Sequence, residues 1–121
     1  MLRAADGEAP VIFGDGLQTR GFIYVRDVVR ANLLAAVSTK AQGQVFNVGT
    51  ARSITINTLW DRIADLAGIN ATPEHAAERE GDIKHSCAAI QKALDQLEFQ
   101  PSILFEDGLK ETYAWYHQDR R

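Results

Sequence analysis

The sequence predicts an α/β (α+β) domain of short strands and about four helices, and three observations carry that reading. Apolar residues recur at helical spacing in four stretches, three short runs have strand composition, and Gly or Pro marks the joins between them. At 121 residues, 45% hydrophobic and 24% charged, the chain is expected to form one globular unit over residues 1–121 with a single sizeable core.

Val11, Ile12 and Phe13 form the first strand-like run, which the turn signal Gly14-Asp15-Gly16 ends. Gly21 to Val25 resumes strand composition, so the expectation is two short strands joined by a glycine-bearing loop. Asp27 suits an N-cap, because Val28, Val29, Leu33, Ala36 and Val37 then recur as a helical stripe that leaves Arg30 and Lys40 outside it. After the polar connection Ser38 to Gln44, Val45 to Val48 reads as a buried strand stopping at Gly49. Thr55 can cap a second helix whose face is Leu59, Trp60, Ile63, Leu66 and Ala67, with Gly68 placed to end it. Pro73 to Asp82 lacks periodicity and is rich in charge, which predicts an extended or loop segment. Ile90, Ala93, Leu94 and Leu97 make a third helical face stopped before Pro101; Phe105, Leu109, Thr112, Tyr113 and Tyr116 make a fourth.

Composition excludes several classes of function. The net charge of −3, with no basic block beyond the short terminal pair Arg120 and Arg121, argues against nucleic acid as a partner. The longest apolar stretch, Leu33 to Val37, is far short of the ~20 residues that span a bilayer, so a soluble, cytoplasmic protein and no membrane partner are expected. A lone Cys87 excludes an internal disulfide and is most simply a small apolar residue; His75, His85 and His117 lack metal-site spacing.

Catalytic constellations are missing from the pattern. Gly14-Asp15-Gly16 supplies the first two glycines of a dinucleotide fingerprint, but Thr19 stands at the third and no strand-to-helix turn follows. Four residues after Tyr24, Tyr113 and Tyr116 stand Val28, His117 and Arg120, where an activating lysine would be needed to depress a tyrosine pKa. No nucleophile-elbow sequence organises Ser, His and Asp. The expectation is no catalytic, metal or cofactor-binding residue in this chain.

Binding chemistry has two candidate loops. Arg20 follows the glycine turn, and a planar guanidinium there suits a phosphate, although a lone arginine on a hairpin rim is the commoner case. Arg79-Glu80-Gly81-Asp82 adds a second arginine and a carboxylate able to accept from sugar hydroxyls; taken alone it is more often a solvated charge run. Trp60, Tyr113 and Tyr116 fall on apolar faces and are assigned to the core rather than to stacking on a base.

The run Pro10 to Val29, with Pro10-Val11-Ile12-Phe13-Gly14-Asp15-Gly16 and Thr19-Arg20-Gly21-Phe22-Ile23-Tyr24-Val25-Arg26-Asp27-Val28-Val29, resembles the NAD-dependent nucleotide-sugar epimerase/dehydratase family. These are the extended short-chain dehydrogenases, and UDP-glucose 4-epimerase-like members are the nearest in pattern. Phe46-Asn47-Val48-Gly49, Ser53 to Asn57, Arg79 to Ser86 and Phe105 to Thr112 continue the resemblance along nearly the whole chain. It implies the C-terminal, substrate-binding part of such an enzyme. The NAD loop, the catalytic Ser/Thr and the Tyr-x-x-x-Lys pair belong to a Rossmann half absent here, so no cofactor is expected on this chain alone. By the same resemblance Arg20 contacts the diphosphate of a UDP- or TDP-sugar, Arg79 and Asp82 contact the nucleotide, and Val11, Ile12 and Phe13 lie along it. Gly21 departs from the family's usual Asp, and Ala89 stands where an Asp is expected to cap the following helix. The chain is expected to associate, either with itself or with the missing half.

Overall fold

The first helix, α1 (Leu2–Ala5), has no counterpart in the sequence pattern, because a single turn carries too few residues to show a period. The structure is a computed structural model that describes residues 1–118, so Arg120 and Arg121 lie outside the described residues. After α1 come β1 (Val11–Phe13), β2 (Thr19–Arg20), α2 (Val25–Val37), a 3-10 turn (Thr39–Ala41) and β3 (Ile54–Thr55). Then follow α3 (Ile56–Ala67), β4 (Glu74–Ala76), α4 (Gln91–Leu97) and α5 (Phe105–Gln118). The class is mixed α/β as expected, with five α-helices among the described residues rather than about four.

Pairing departs from the expected hairpin. β1 pairs in parallel with β4, Ile12 opposite His75, and β2 pairs antiparallel with β3, Arg20 opposite Ile54. The Pro73 to Asp82 segment, expected to be extended or a loop, carries the strand β4, and Gly14-Asp15-Gly16 joins two different sheets. Period-2 reasoning identifies a strand but not its neighbour, and these ladders are too short to announce one. The expected strand Gly21 to Val25 is also replaced: Gly21 to Tyr24 runs unpaired, Tyr24 is the N-cap and the helix starts at Val25.

Asp27 is correspondingly not an N-cap. It sits in the first turn of α2, buried, and accepts backbone N–H bonds from Ser102 (3.0 Å) and Ile103 (3.0 Å), the Ser102 hydroxyl (3.0 Å) and an ion pair with Arg30 (3.1 Å). Two orphan amides before α5 have recruited it in preference to the amides of its own helix. Desolvation alone would push this carboxyl up, but the bonds from Ile103, Arg30 and Ser102 outweigh it and hold the pKa below the ordinary aspartate value.

The α2 stripe also faces differently from its reading. Ala31 is buried and Leu34 half-buried, whereas Val25, Val29, Leu33 and Val37 are exposed. Arg30, expected outside the apolar face, lies on the inner side with its guanidinium over the Phe99 ring and a bond to the Gln100 carbonyl. Val45 to Val48 takes no regular secondary structure and pairs with no strand among the described residues. Phe46 and Val48 pack inward while Val45 is 81% exposed, so the run is neither buried nor paired. Alternating apolar character marks both inward and outward sides of a strand that lacks a neighbour.

The helical signals elsewhere hold. The Thr55 hydroxyl accepts the Thr58 N–H (3.0 Å) and Gly68 ends α3 in the left-handed region at φ 66. α4 has Ile90 at its N-cap, one residue beyond Ala89, and no side-chain cap there. Trp60 is buried, with its indole N–H on the Ala71 carbonyl (3.2 Å). Tyr113 and Tyr116 are only half-buried, and Cys87 is exposed.

Two apolar clusters result. Ala4, Ile12, Trp60, Ile63 and Leu109 join α1, β1, α3 and α5; Ala31, Ala93, Leu97 and Phe99 join α2 and α4. Asp27 ties the second to the entry of α5 in the first.

Candidate functional site

A cavity of about 300 Å³ opens between α1, β1 and α3. Its floor is apolar, from Ile56, Leu59, Trp60 and Ile63, and its wall is β1 itself. β1 has one ladder neighbour among the described residues, β4, so its other edge is open. The Pro10 carbonyl and the Gly14 N–H engage β4. Pairing alternates along a parallel strand, so the backbone groups of Val11 and Phe13 point to the open edge. There the Gln18 amide donates to the Phe13 carbonyl (2.8 Å).

All five residues singled out in the sequence, Val11, Phe13, Arg20, Arg79 and Asp82, line this one cavity. Arg79 and Asp82 are brought side by side by a tight turn in which the Asp82 N–H reaches the Arg79 carbonyl (3.1 Å) and Gly81 takes φ 80, a conformation glycine adopts without a Cβ penalty. The Asp82 carboxylate meets Arg20 at 2.6 Å. Arg20 also donates to the Thr19 carbonyl (2.9 Å), which orients its guanidinium along β2.

Arg79 is held differently. Its guanidinium lies over the Phe13 ring, 3.8 Å from the centroid, and no carboxylate of the described residues is within ion-pair distance. Stacking through its face leaves its in-plane donors free for an oxyanion. Arg20 is a paired cation and Arg79 an unpaired one, a distinction sequence reasoning did not reach.

The residues that reasoning missed are Arg3 and Gln18, which line the same cavity. Gln18 lay inside a quoted motif without a role, and Arg3 stood in a stretch with no pattern.

Tyr24 and Tyr113 each engage a neighbour on α5. The Tyr24 hydroxyl donates to Glu111 (2.9 Å), and that bond, followed by desolvation, raises its pKa, the reverse of what a proton-transferring tyrosine needs. Tyr113 and His117 stack at 6.2 Å on α5. Among the described residues no three His, Cys, Asp or Glu side chains come together as a metal site, and no helix is long and apolar enough to cross a membrane.

Residues 1–49 match the model of the NAD dependent epimerase/dehydratase family. A putative UDP-glucose 4-epimerase of Methanocaldococcus jannaschii is 34% identical over 114 residues, covering 94% of this chain and 36% of the relative. The UDP-glucose 4-epimerase of Thermotoga maritima, solved with UDP-glucose, superposes with a TM-score of 0.92 at 36% identity, covering 99% of this chain and 38% of that one. The UDP-N-acetylglucosamine 4-epimerase of Methanobrevibacter ruminantium, in complex with UDP-N-acetylmuramic acid, gives 0.88 at 39% identity, covering 98% and 39%. This chain thus spans little more than a third of the length of the relatives it matches. With its fold and its sequence aligned to theirs along nearly its full extent, it belongs to the NAD-dependent epimerase/dehydratase family, with UDP-glucose 4-epimerases among the proteins it is similar to.

Proposed function

We propose that the chain holds a nucleoside-diphosphate sugar, a UDP- or TDP-sugar, as the substrate-binding part of a 4-epimerase-type enzyme. In this reading it positions the ligand and carries out no chemistry by itself. The observation that carries the reading is Arg79, a guanidinium over the Phe13 ring with no ion pair among the described residues, lining a cavity shared with Arg20 and an open strand edge. The edge offers backbone donors and acceptors to a base, the apolar floor takes uncharged surface, and the arginines answer the diphosphate. Relatives solved with UDP-sugars support the same ligand class. NAD is assigned to the part of the relatives that lies outside their match to this chain. Holding the diphosphate would present the sugar's reacting carbon to that cofactor.

Calorimetry with UDP, TDP and NAD tests the reading. UDP or TDP should bind and NAD should not, and Arg20→Ala and Arg79→Ala should each weaken binding about tenfold. Wild type and both variants binding equally would sink the clamp, and saturable NAD binding would overturn the division of labour.

A second reading has its own observation. Val25, Val29, Leu33 and Val37 stand exposed at four-residue intervals along α2, and the exposed Val45 follows them. Such a stripe favours burial against another surface, whether a second copy or the rest of an epimerase. In this reading the chain acts by association rather than by ligand binding. Sedimentation showing a strict monomer at tens of micromolar would count against it; an oligomer without nucleotide affinity would favour it over the first.

A further inference from the structure

We infer that Arg3 is a third cation of the cavity and acts on the diphosphate of the ligand proposed above; the inference rests on that reading. Arg3 stands on α1 and lines the same cavity as Arg20 and Arg79. One of its donors reaches the Ala9 carbonyl (3.2 Å), two residues before the start of β1. That bond holds the guanidinium beside the strand and uses one of five donors. No carboxylate of the described residues is within ion-pair distance of it.

Charge balance then distinguishes the cavity from the rest of the molecule. The lining holds three arginines and one aspartate, and that aspartate is taken by Arg20, so Arg3 and Arg79 remain uncompensated. Two guanidinium groups with no ion pair among the described residues, lining one cavity, run against the chain's net charge of −3. They match the two ionised phosphates of a nucleoside-diphosphate sugar. Apolar residues on the floor lower the local dielectric response, which strengthens each contact relative to one in open water. Arg3 approaches from the α1 side and Arg79 from the turn beyond β4, so the diphosphate would be gripped from both flanks of β1.

The competing account makes Arg3 a tether that merely joins α1 to the chain before β1. The two accounts differ in their response to salt. Calorimetric titration of the full chain with UDP, at low and high salt, compares wild type, Arg3→Ala and Arg3→Lys, with thermal melting of each variant as a check on folding. Arg3→Ala should weaken UDP binding about tenfold at low salt and by less at high salt, because the lost contact is between charges. Arg3→Lys should recover part of the loss, since it restores the charge without the planar fork. Unchanged UDP affinity in Arg3→Ala, or a loss that is the same at both salt concentrations, overturns the inference. If UDP binding is lost in Arg79→Ala but kept in Arg3→Ala, only the role of Arg3 fails. If wild type does not bind UDP, the proposed function fails and this inference with it.

Discussion

The Arg79 guanidinium lies flat enough on the Phe13 ring to bring its central carbon within 3.8 Å of the centroid, joining the turn after β4 to the end of β1. Phe13→Leu removes the π-face but keeps apolar volume. It should leave the fold intact, since an exposed cation–π pair contributes about 0.5–1 kcal/mol. It should also weaken UDP binding several-fold by letting Arg79 wander. Titration calorimetry together with a melting curve checks this; unchanged affinity would show that the stack does not orient Arg79.

Stability should fall steeply in acid because of Asp27. Its pKa in the folded chain lies below the ~3.9 of an unfolded aspartate. Its contribution is therefore complete above that unfolded value and is lost as the pH drops through the lower, folded one. Asp27→Asn should cost roughly 3 kcal/mol at pH 7, because the Arg30 charge loses its counter-ion and one of the two oxygens that accept from Ser102, Ile103 and Arg30 becomes a donor. Urea midpoints at pH 7 and pH 3 test the sign: the gap between wild type and variant should narrow in acid, and a constant gap would contradict the assignment.

Gly108 lies inside α5, where alanine ordinarily helps. Here a Cβ would come within 2.8 Å of the Tyr24 Cβ, which cannot swing away as a side-chain tip can. Gly108→Ala should therefore destabilise by about 1–3 kcal/mol despite its better helix propensity. A higher thermal midpoint for the variant would show that α5 has room to shift.

The exposed α2 stripe makes a prediction about association. Leu33→Lys places a charge at its middle, on a residue 64% exposed, and should leave the monomer's stability within about 0.5 kcal/mol of wild type. If the stripe is an association surface, the variant should sediment as a smaller species than wild type at the same concentration. Identical profiles from an associating wild type would move the surface elsewhere.

Much of the site was legible in the sequence, but its organisation was not. Arg20, Arg79 and Asp82 could be named because arginine and aspartate in glycine-bearing loops suit an anionic nucleotide, and the motif resemblance gave them roles. Nothing in their spacing says that Asp82 reaches Arg20 while Arg79 turns to Phe13, for these are contacts across 62 and 66 positions of chain. Arg3 was invisible for the same reason: its meaning comes from the cavity it borders.

Local chemistry decided α3 and the helical character of α5. The Thr55 cap, the Gly68 end and the periodic faces of α3 and α5 depend on neighbours within a few residues, and the sequence carries them in full. Tertiary structure alone decided which strands pair, that Asp27 serves Ser102 and Ile103 rather than its own helix, and that most of the α2 stripe faces outward. The reason is physical. Capping and periodicity are short-range demands of the backbone, whereas a ladder partner, a buried acceptor or a covered face depends on what the rest of the chain brings within reach.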